Sequence, residues 1–174
     1  MNDTTLLIID AQVNMFDEQT PIYESERLLQ TLTELIHSAR AASVPVIFVR
    51  NNGTAVDPDE PGTPGWELHP NLTPLPGEII IDKFSPDSFH ETNLHELLQT
   101  NGVKKLVMAG MQTEFCVNAT CQRAVELGYA VTAVADAHST FDMAEMTAPQ
   151  VISHYNKQFS AIAATRKANE IIFS

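Results

Sequence analysis

The sequence predicts a three-layer α/β/α domain built on a six-stranded, mostly parallel sheet with strand order 3-2-1-4-5-6. Three observations lead there. Short unbroken apolar runs such as Leu6-Leu7-Ile8-Ile9 and Leu106-Val107-Met108-Ala109 have strand length and no polar alternation, the mark of strands covered on both faces. Between such runs stand segments with apolar residues at helical spacing, so strand and helix alternate along the chain. The 174 residues contain no internal repeat, so a single domain, residues 1–174, is expected, burying about two thirds of the surface its unfolded form exposes.

The first strand covers residues 6–9 and leaves Asp10 at its carboxyl end. Gln12, Asn14 and Phe16 follow in a loop. Residues 25–42 place Leu28, Leu32, Leu35, Ile36 and Ala39 on one helical face, with Glu26, Gln30, Thr33 and Arg40 largely opposite. The second strand, residues 44–49, completes a β-helix-β unit whose crossover is right-handed. Residues 50–77 have no periodicity and carry six of the ten prolines and four of the seven glycines. Loops of that length inside compact domains act as lids or binding loops, and Trp66, the only tryptophan, lies in this one. It can wall a substrate, cover a sheet edge or meet another subunit.

The third strand, residues 78–82, is followed by Lys83 and the loop 84–89. A helix over 92–101 stops at Gly102, and the fourth strand, 105–109, ends where Gly110 relaxes the backbone. Thr113 can cap a helix running through Cys121 and Leu127 to Gly128. A fifth strand over 130–135, a loop over 136–140, a helix over 149–159 and a short apolar stretch at 161–164 complete the Rossmann-like alternation.

Composition excludes several classes. The formal charge is -12 with a pI near 4.7, and no local Lys/Arg cluster offsets it, so a nucleic-acid partner is not expected. No run reaches membrane-spanning length, and no basic region precedes the first apolar run, so the chain reads as soluble and unprocessed. Cys116 and Cys121 are five apart on one predicted helix, about 140° around its axis, and cannot bridge. A reducing, cytoplasmic compartment follows.

Two strand ends meet in the expected crevice. In the order 3-2-1-4-5-6 strands one and four are neighbours where the chain reverses direction, which brings Asp10 and Cys116 to its two lips. Asp10 there either faces a ligand or caps a turn. Cys116, in a first helical turn, is either a nucleophile whose thiolate the helix N-terminus favours or a buried structural thiol. A lone lysine such as Lys83 is ordinarily solvated, and strand three is two strands from strand one, so only its following loop, folded back, could carry the ammonium to the crevice. Together the three make a working set. Asp10 takes the thiol proton, Lys83 keeps Asp10 ionised and stabilises the thiolate, and the Cys116 sulfur attacks an acyl carbon. Backbone N–H groups of Gln112 and Cys116 receive the oxyanion, and water later cleaves the thioester.

With these residues assembled, the chain resembles the isochorismatase-like cysteine hydrolase superfamily, which includes nicotinamidases and carbamoyl-type amidases. The resemblance covers nearly the whole chain and rests on residues 7–12 (LIIDAQ), Lys83-Phe84 and residues 109–117 (AGMQTEFCV), with Gly128-Tyr129 and Ala135-Asp136-Ala137 downstream. It implies an Asp10-Lys83-Cys116 triad, a cis peptide bond at Met111-Gln112, and a homodimer or higher homo-oligomer. The implied activity is hydrolysis of a C–N bond in a small amide, and the Gln112-Thr113-Glu114 turn looks like the streptothricin hydrolase branch. Nicotinamidases of the superfamily hold a metal after strand two, but residues 50–54 (RNNGT) lack that ligand set and leave only Asp57 and His69, so no metal or other cofactor is expected. His90 and His95 read as solvated. Phe16, Trp66, Phe84, Phe89 and Phe115, with Gln112, are the expected substrate walls. Trp66, Leu68, Leu72 and Leu75 are expected to be exposed on the long loop and covered by a second subunit. Two rivals remain: vinyl ether hydrolysis, against which Cys116 argues, and a non-catalytic or redox thiol protein, for which Cys121 is poorly placed as a resolving cysteine.

Overall fold

A computed structural model describes residues 3–174. In chain order the elements are β1 (Thr4–Ile9), α1 (Ser25–Ala41), β2 (Val46–Asn51), β3 (Ile79–Lys83), α2 (Leu94–Thr100), β4 (Lys105–Met111), α3 (Asn118–Glu126), β5 (Ala130–Ser139), α4 (Ala148–Ile162) and β6 (Ala164–Arg166). They form one sheet in the order β3-β2-β1-β4-β5-β6. Every strand pair is parallel, where the sequence reading allowed a mixed sheet.

The unbroken apolar runs are explained by what covers them. Leu6 and Ile8 of β1 join Phe48, Val107 and Ala109 against Leu28, Leu32, Leu35 and Ile36 of α1. Leu7 and Ile9 point the other way, into a second core with Leu94 and Leu98 of α2, Cys121 and Ala124 of α3 and Phe159 of α4. Alternate residues of the run Leu6 to Ile9 therefore serve two cores, and no position in that run is left for a polar side chain. Each fully buried Leu or Ile contributes about 2 kcal/mol, so the central strands β1 and β4 anchor the crevice at their carboxyl ends.

Several boundaries differ from the sequence reading. β4 does not end at Ala109: Gly110 and Met111 continue it, with Gly110 paired opposite Ile9. β5 likewise continues through His138 and Ser139, which reads as loop because Asp136 interrupts the apolar run. The register explains it. While β4 advances from Met108 to Gly110, β5 advances from Ala133 to His138, so the residues between bulge out and pairing then resumes. α2 is shorter than 92–101, since the Thr92 hydroxyl donates to the Ser88 carbonyl and holds that residue in the preceding loop. The last strand lies later, because α4 runs on to Ile162.

The long loop is more structured than its composition suggests. Arg50 and Asn51 still belong to β2, and Pro64–Trp66 and Pro70–Leu72 form 3-10 turns. Backbone bonds from Val13 N–H to the Glu67 carbonyl (2.8 Å) and from His69 N–H to the Ala11 carbonyl (2.9 Å) tie the loop to the end of β1. Leu72 is buried and Leu68 packs on the α1-side core, so these two are not exposed as expected; Trp66 is half-buried and only Leu75 faces solvent. The loop finds its apolar surface within its own chain. No helix among the described residues is long and apolar enough to cross a membrane.

Gly110 is the tightest point beneath the crevice. Its φ is +133°, and a Cβ there would sit 2.1 Å from the Ile9 carbonyl oxygen, which is backbone and cannot step aside. Gly110→Ala is expected to cost about 3 kcal/mol or more, read as a lower urea midpoint. A variant as stable as the parent would contradict this packing.

Candidate active site

Three strands deliver the site. Asp10 follows β1 in a left-handed conformation (φ +50°) that Asp tolerates better than most residues, with its N–H donating to the Val49 carbonyl at 2.9 Å. Lys83 is the last residue of β3, opposite Asn51 of β2. Cys116 lies in a single π turn, Thr113–Val117, between β4 and α3. Lys83 Nζ donates to Asp10 Oδ2 at 2.9 Å and to Cys116 Sγ at 3.3 Å.

Two features of Lys83 correct the sequence reading. It is wholly buried rather than solvated, and the strand itself, not the loop after it, presents the side chain. The two strand spacings between β3 and β1 amount to about 10 Å, a gap that an extended lysine and an aspartate close between them across the end of β2.

Burial governs the charges. Desolvation pushes the Asp10 carboxyl up, only partly offset by Lys83 and the Cys116 thiol. Burial opposes the charge on Lys83, but Asp10 and Cys116 outweigh it and the ammonium is held above its ordinary range. Burial, and after it the Asp10 carboxylate, pushes the Cys116 thiol up to about 12 despite Lys83. The helix start therefore does not produce a resting thiolate, contrary to the sequence reading. One carboxylate oxygen, Asp10 Oδ1, is buried with no hydrogen-bond partner among the described residues and is open to receive a proton.

The turn that carries the thiol is pinned from behind. The Met111–Gln112 peptide is cis, and the Gln112 carbonyl accepts from the N–H groups of Phe115 (3.2 Å) and Val117 (3.1 Å). Thr113 does not cap the helix. Its hydroxyl lies 2.8 Å from His138 Nδ1, and His138 Nε2 lies 2.8 Å from Asn156 Oδ1. Asn156 Nδ2 donates to the Ala135 carbonyl (3.0 Å), so its Oδ1 faces the imidazole. His138 must then carry its proton on Nε2 and accept from Thr113 on Nδ1, a neutral form that burial also favours.

The expected substrate walls divide. Phe84 and Phe115 flank the triad in sequence and are exposed, 77% and 53%. Trp66 donates from Nε1 to Asn52 Oδ1 (2.6 Å) beneath the Arg50 guanidinium, 3.5 Å from its ring. Phe16 packs on the α1-side core and edge-on to His69, and Gln112 Nε2 lies 4.0 Å from Met15 Sδ. Phe89 is not a wall: it is buried in the other core, stacked on Tyr129, because the loop after β3 turns beneath the sheet's α2 face. His95 is not solvated either, with Nδ1 2.9 Å from the Tyr129 hydroxyl, whereas His90 is exposed. A cavity of about 440 Å³ lies between α1, β5 and α4, touching His138 and Asn156 but no triad residue.

Sequence reasoning missed three neighbours of the triad. Asn51 accepts a third bond from Lys83 Nζ at 3.2 Å, and Asp59 accepts from Asn51 Nδ2 at 2.7 Å. Gln12, left without a role, is fully buried and donates to the carbonyls of Asn51 and Trp66, 3.0 Å each. Only the position of Asn51 at a strand end beside Lys83 could have flagged any of them.

The two thiols predict different reactivity. Cys121 is fully buried and burial pushes it up to about 11, while Cys116 is half-buried at the crevice. Iodoacetamide should modify Cys116 alone in the native protein, at a rate still climbing through pH 10. A plateau by pH 8, or equal labelling of Cys121, would contradict this environment.

Comparison with known proteins gives the family. A family profile described as the isochorismatase domain matches residues 4–167. The chain is 38% identical over 138 residues to a streptothricin hydrolase of Streptomyces noursei, covering 79% of this chain and 50% of that protein, so it spans about half that relative's length. It is 33% identical over 174 aligned positions to the uncharacterized isochorismatase family protein YddQ of Bacillus subtilis, covering 96% and 97% of the two chains. The fold superimposes on an isochorismatase from Pseudomonas putida KT2440 with a TM-score of 0.93 at 31% identity, over 98% of this chain and 90% of that one. A domain match that runs from β1 through β6, with a relative aligned over nearly its whole length, makes this chain a member of the isochorismatase family of hydrolases.

Proposed function

We propose that this hydrolase cleaves the C–N bond of a small amide through a thioester on Cys116. The observation that carries the reading is the buried Lys83 ammonium, 2.9 Å from Asp10 and 3.3 Å from Cys116. Because the resting sulfur is a thiol, its proton passes to Asp10 as Sγ bonds to the acyl carbon, which makes Asp10 a general base. The carbonyl electrons move onto oxygen, where the N–H groups of Gln112 and Cys116 receive them. Collapse breaks the C–N bond, and Asp10 returns the proton to the leaving amine. Water then attacks the thioester, gives its proton to Asp10 and releases the acid, and the proton returns to sulfur. Phe16, Trp66, Phe84, Phe115 and Gln112 surround the crevice in this reading and suit a small, flat or apolar amide. Similarity to a ureidoacrylate amidohydrolase of Pseudomonas syringae, 27% identical over 139 residues, supports amide cleavage over vinyl ether cleavage. Two free thiols fit a cytoplasmic setting.

The reaction is proposed to need no metal, since the two candidate ligands after β2 are otherwise engaged. Asp57 accepts from the Thr54 N–H (2.7 Å) and hydroxyl (2.6 Å), and His69 Nδ1 accepts from the Asn71 N–H (3.2 Å). Purified protein should release ammonia or amine from members of a small-amide panel, at the same rate with and without chelator. Turnover confined to a vinyl ether, or rates that vanish in chelator and return with zinc or iron, would overturn the reading.

A further inference from the structure

We propose that Asn51 and Asp59 are a positioning pair for the reaction proposed above: Asp59 orients the Asn51 amide, and Asn51 in turn aims the Lys83 ammonium at Asp10 and Cys116. An ammonium has three protons, and Lys83 has three partners: Asp10 Oδ2 (2.9 Å), Asn51 Oδ1 (3.2 Å) and Cys116 Sγ (3.3 Å). Asn51 is the only one of the three with no part in the bond changes. It is there to fix direction.

The Asn51 amide is itself held in one sense. An ionised carboxylate only accepts, so the group 2.7 Å from Asp59 Oδ2 is Nδ2, and Oδ1 is left to face Lys83. Without Asp59 the amide is free to rotate by half a turn and present N–H groups to the ammonium. The Asn51 backbone cannot compensate, because Gln12 clamps both sides of it: Oε1 accepts the Asn51 N–H at 2.8 Å and Nε2 donates to its carbonyl at 3.0 Å.

The loop is cut to admit the Asp59 side chain. A Cβ on Gly53 would lie 2.2 Å from Asp59 Oδ1 and 2.8 Å from the Asp57 Cβ. The loop closure itself uses the Asp59 main chain, whose carbonyl accepts the Gly53 N–H at 2.9 Å, so a purely structural residue would not need the carboxylate. Asp59 is 8% exposed, and among the described residues no lysine or arginine lies within ion-pair distance of it. Nearby Arg50 is taken by Asp82 (2.7 Å) and Glu67 (3.6 Å), and Asp57 is turned to Thr54. Asp10 therefore feels three groups: Lys83 from β3, Cys116 from the nucleophile turn and the like charge of Asp59 from the loop, which pushes its carboxyl further up.

Two variants separate the functions of Asp59. Asp59→Asn keeps an acceptor for Asn51 and removes the charge, so Asp10 ionises at lower pH. The acid limb of kcat/KM should move to lower pH with KM unchanged. Asp59→Ala also frees the amide, and kcat should fall tenfold or more at constant KM. Alkylation of Cys116 by iodoacetamide, read without substrate, should be at least threefold slower at pH 9 in Asp59→Ala and near the parent rate in Asp59→Asn, because an ammonium no longer aimed at the sulfur lowers the thiol less. That readout decides the inference even if no amide is turned over. If Asp59→Ala does not fold, Asn51→Ala, which removes the third acceptor of Lys83 directly, tests the same positioning. Wild-type kcat and a wild-type alkylation rate in Asp59→Ala, or in Asn51→Ala, would overturn the proposal.

Discussion

Cys116→Ala will reduce turnover of the best amide by at least about ten-thousand-fold while the protein stays folded. In the proposed reaction the sulfur is the group that bonds to carbon and leaves again at neutral pH. Its neighbours Asp10 and Lys83 are already committed to each other at 2.9 Å. The structural cost is small, since Cys116 is half-buried at the edge of the core, and losing one sulfur there should cost about 1 kcal/mol. Cys116→Ser should be nearly as inactive, because a hydroxyl is a far poorer anion than a thiol and Asp10 is a weak base for it. Mass spectrometry of a quenched reaction should show an acyl adduct on the parent protein and none on the alanine variant. Residual turnover of a few percent in Cys116→Ala would place the chemistry elsewhere.

Lys83→Met should have the second largest effect, on rate and stability together. Methionine matches the stem of lysine but leaves the buried Asp10 carboxylate with its one salt-bridge partner gone and Oδ1 already unpartnered. An uncompensated buried charge costs about 3–5 kcal/mol, and Asp10 escapes most of that by taking a proton. Protonated, it cannot accept the thiol proton, and a loss of about a hundredfold to ten-thousand-fold in kcat at pH 7 follows. Lys83 lowers both Asp10 and Cys116, so without it both rise: the acid limb of activity moves up, alkylation slows at fixed pH, and part of the rate returns toward pH 9–10. A raised Asp10 is fully tolerated by the fold below its unfolded value of 3.8 and becomes a burden as pH rises through its folded value. The stability deficit of Lys83→Met should therefore shrink as the pH falls. A deficit that grows in acid, or an unchanged acid limb, would remove Lys83 from this role.

How the site could be read before its geometry was known differs from residue to residue. Asp10 and Cys116 are legible because each ends or follows an apolar run of strand length, and the strand order then brings them together. Lys83 is legible only by resemblance. Taken alone it is a lysine at the end of an edge strand whose residues Ile79 and Ile80 are themselves more than a third exposed. Phe89 misleads for the converse reason: an aromatic in a loop beside the site looks like a wall, but its ring has a better surface on Tyr129.

Local sequence by itself determined the alternation of strand and helix, the two-sided burial of β1 and β4 and the crevice at their carboxyl ends. Those follow from periodicity, which is a property of neighbouring residues. Only the tertiary structure decided the ionisation of the site, the Asn51 and Asp59 contacts behind Lys83 and the π turn that Thr113 ties to His138. Each of these depends on desolvation and on hydrogen bonds between distant parts of the chain, with Lys83 and Cys116 33 residues apart and Thr113 and His138 25 apart. A sequence pattern records which face of its own element a residue occupies. It holds no record of which charge will be waiting there, and for a buried ammonium that partner is what sets its chemistry.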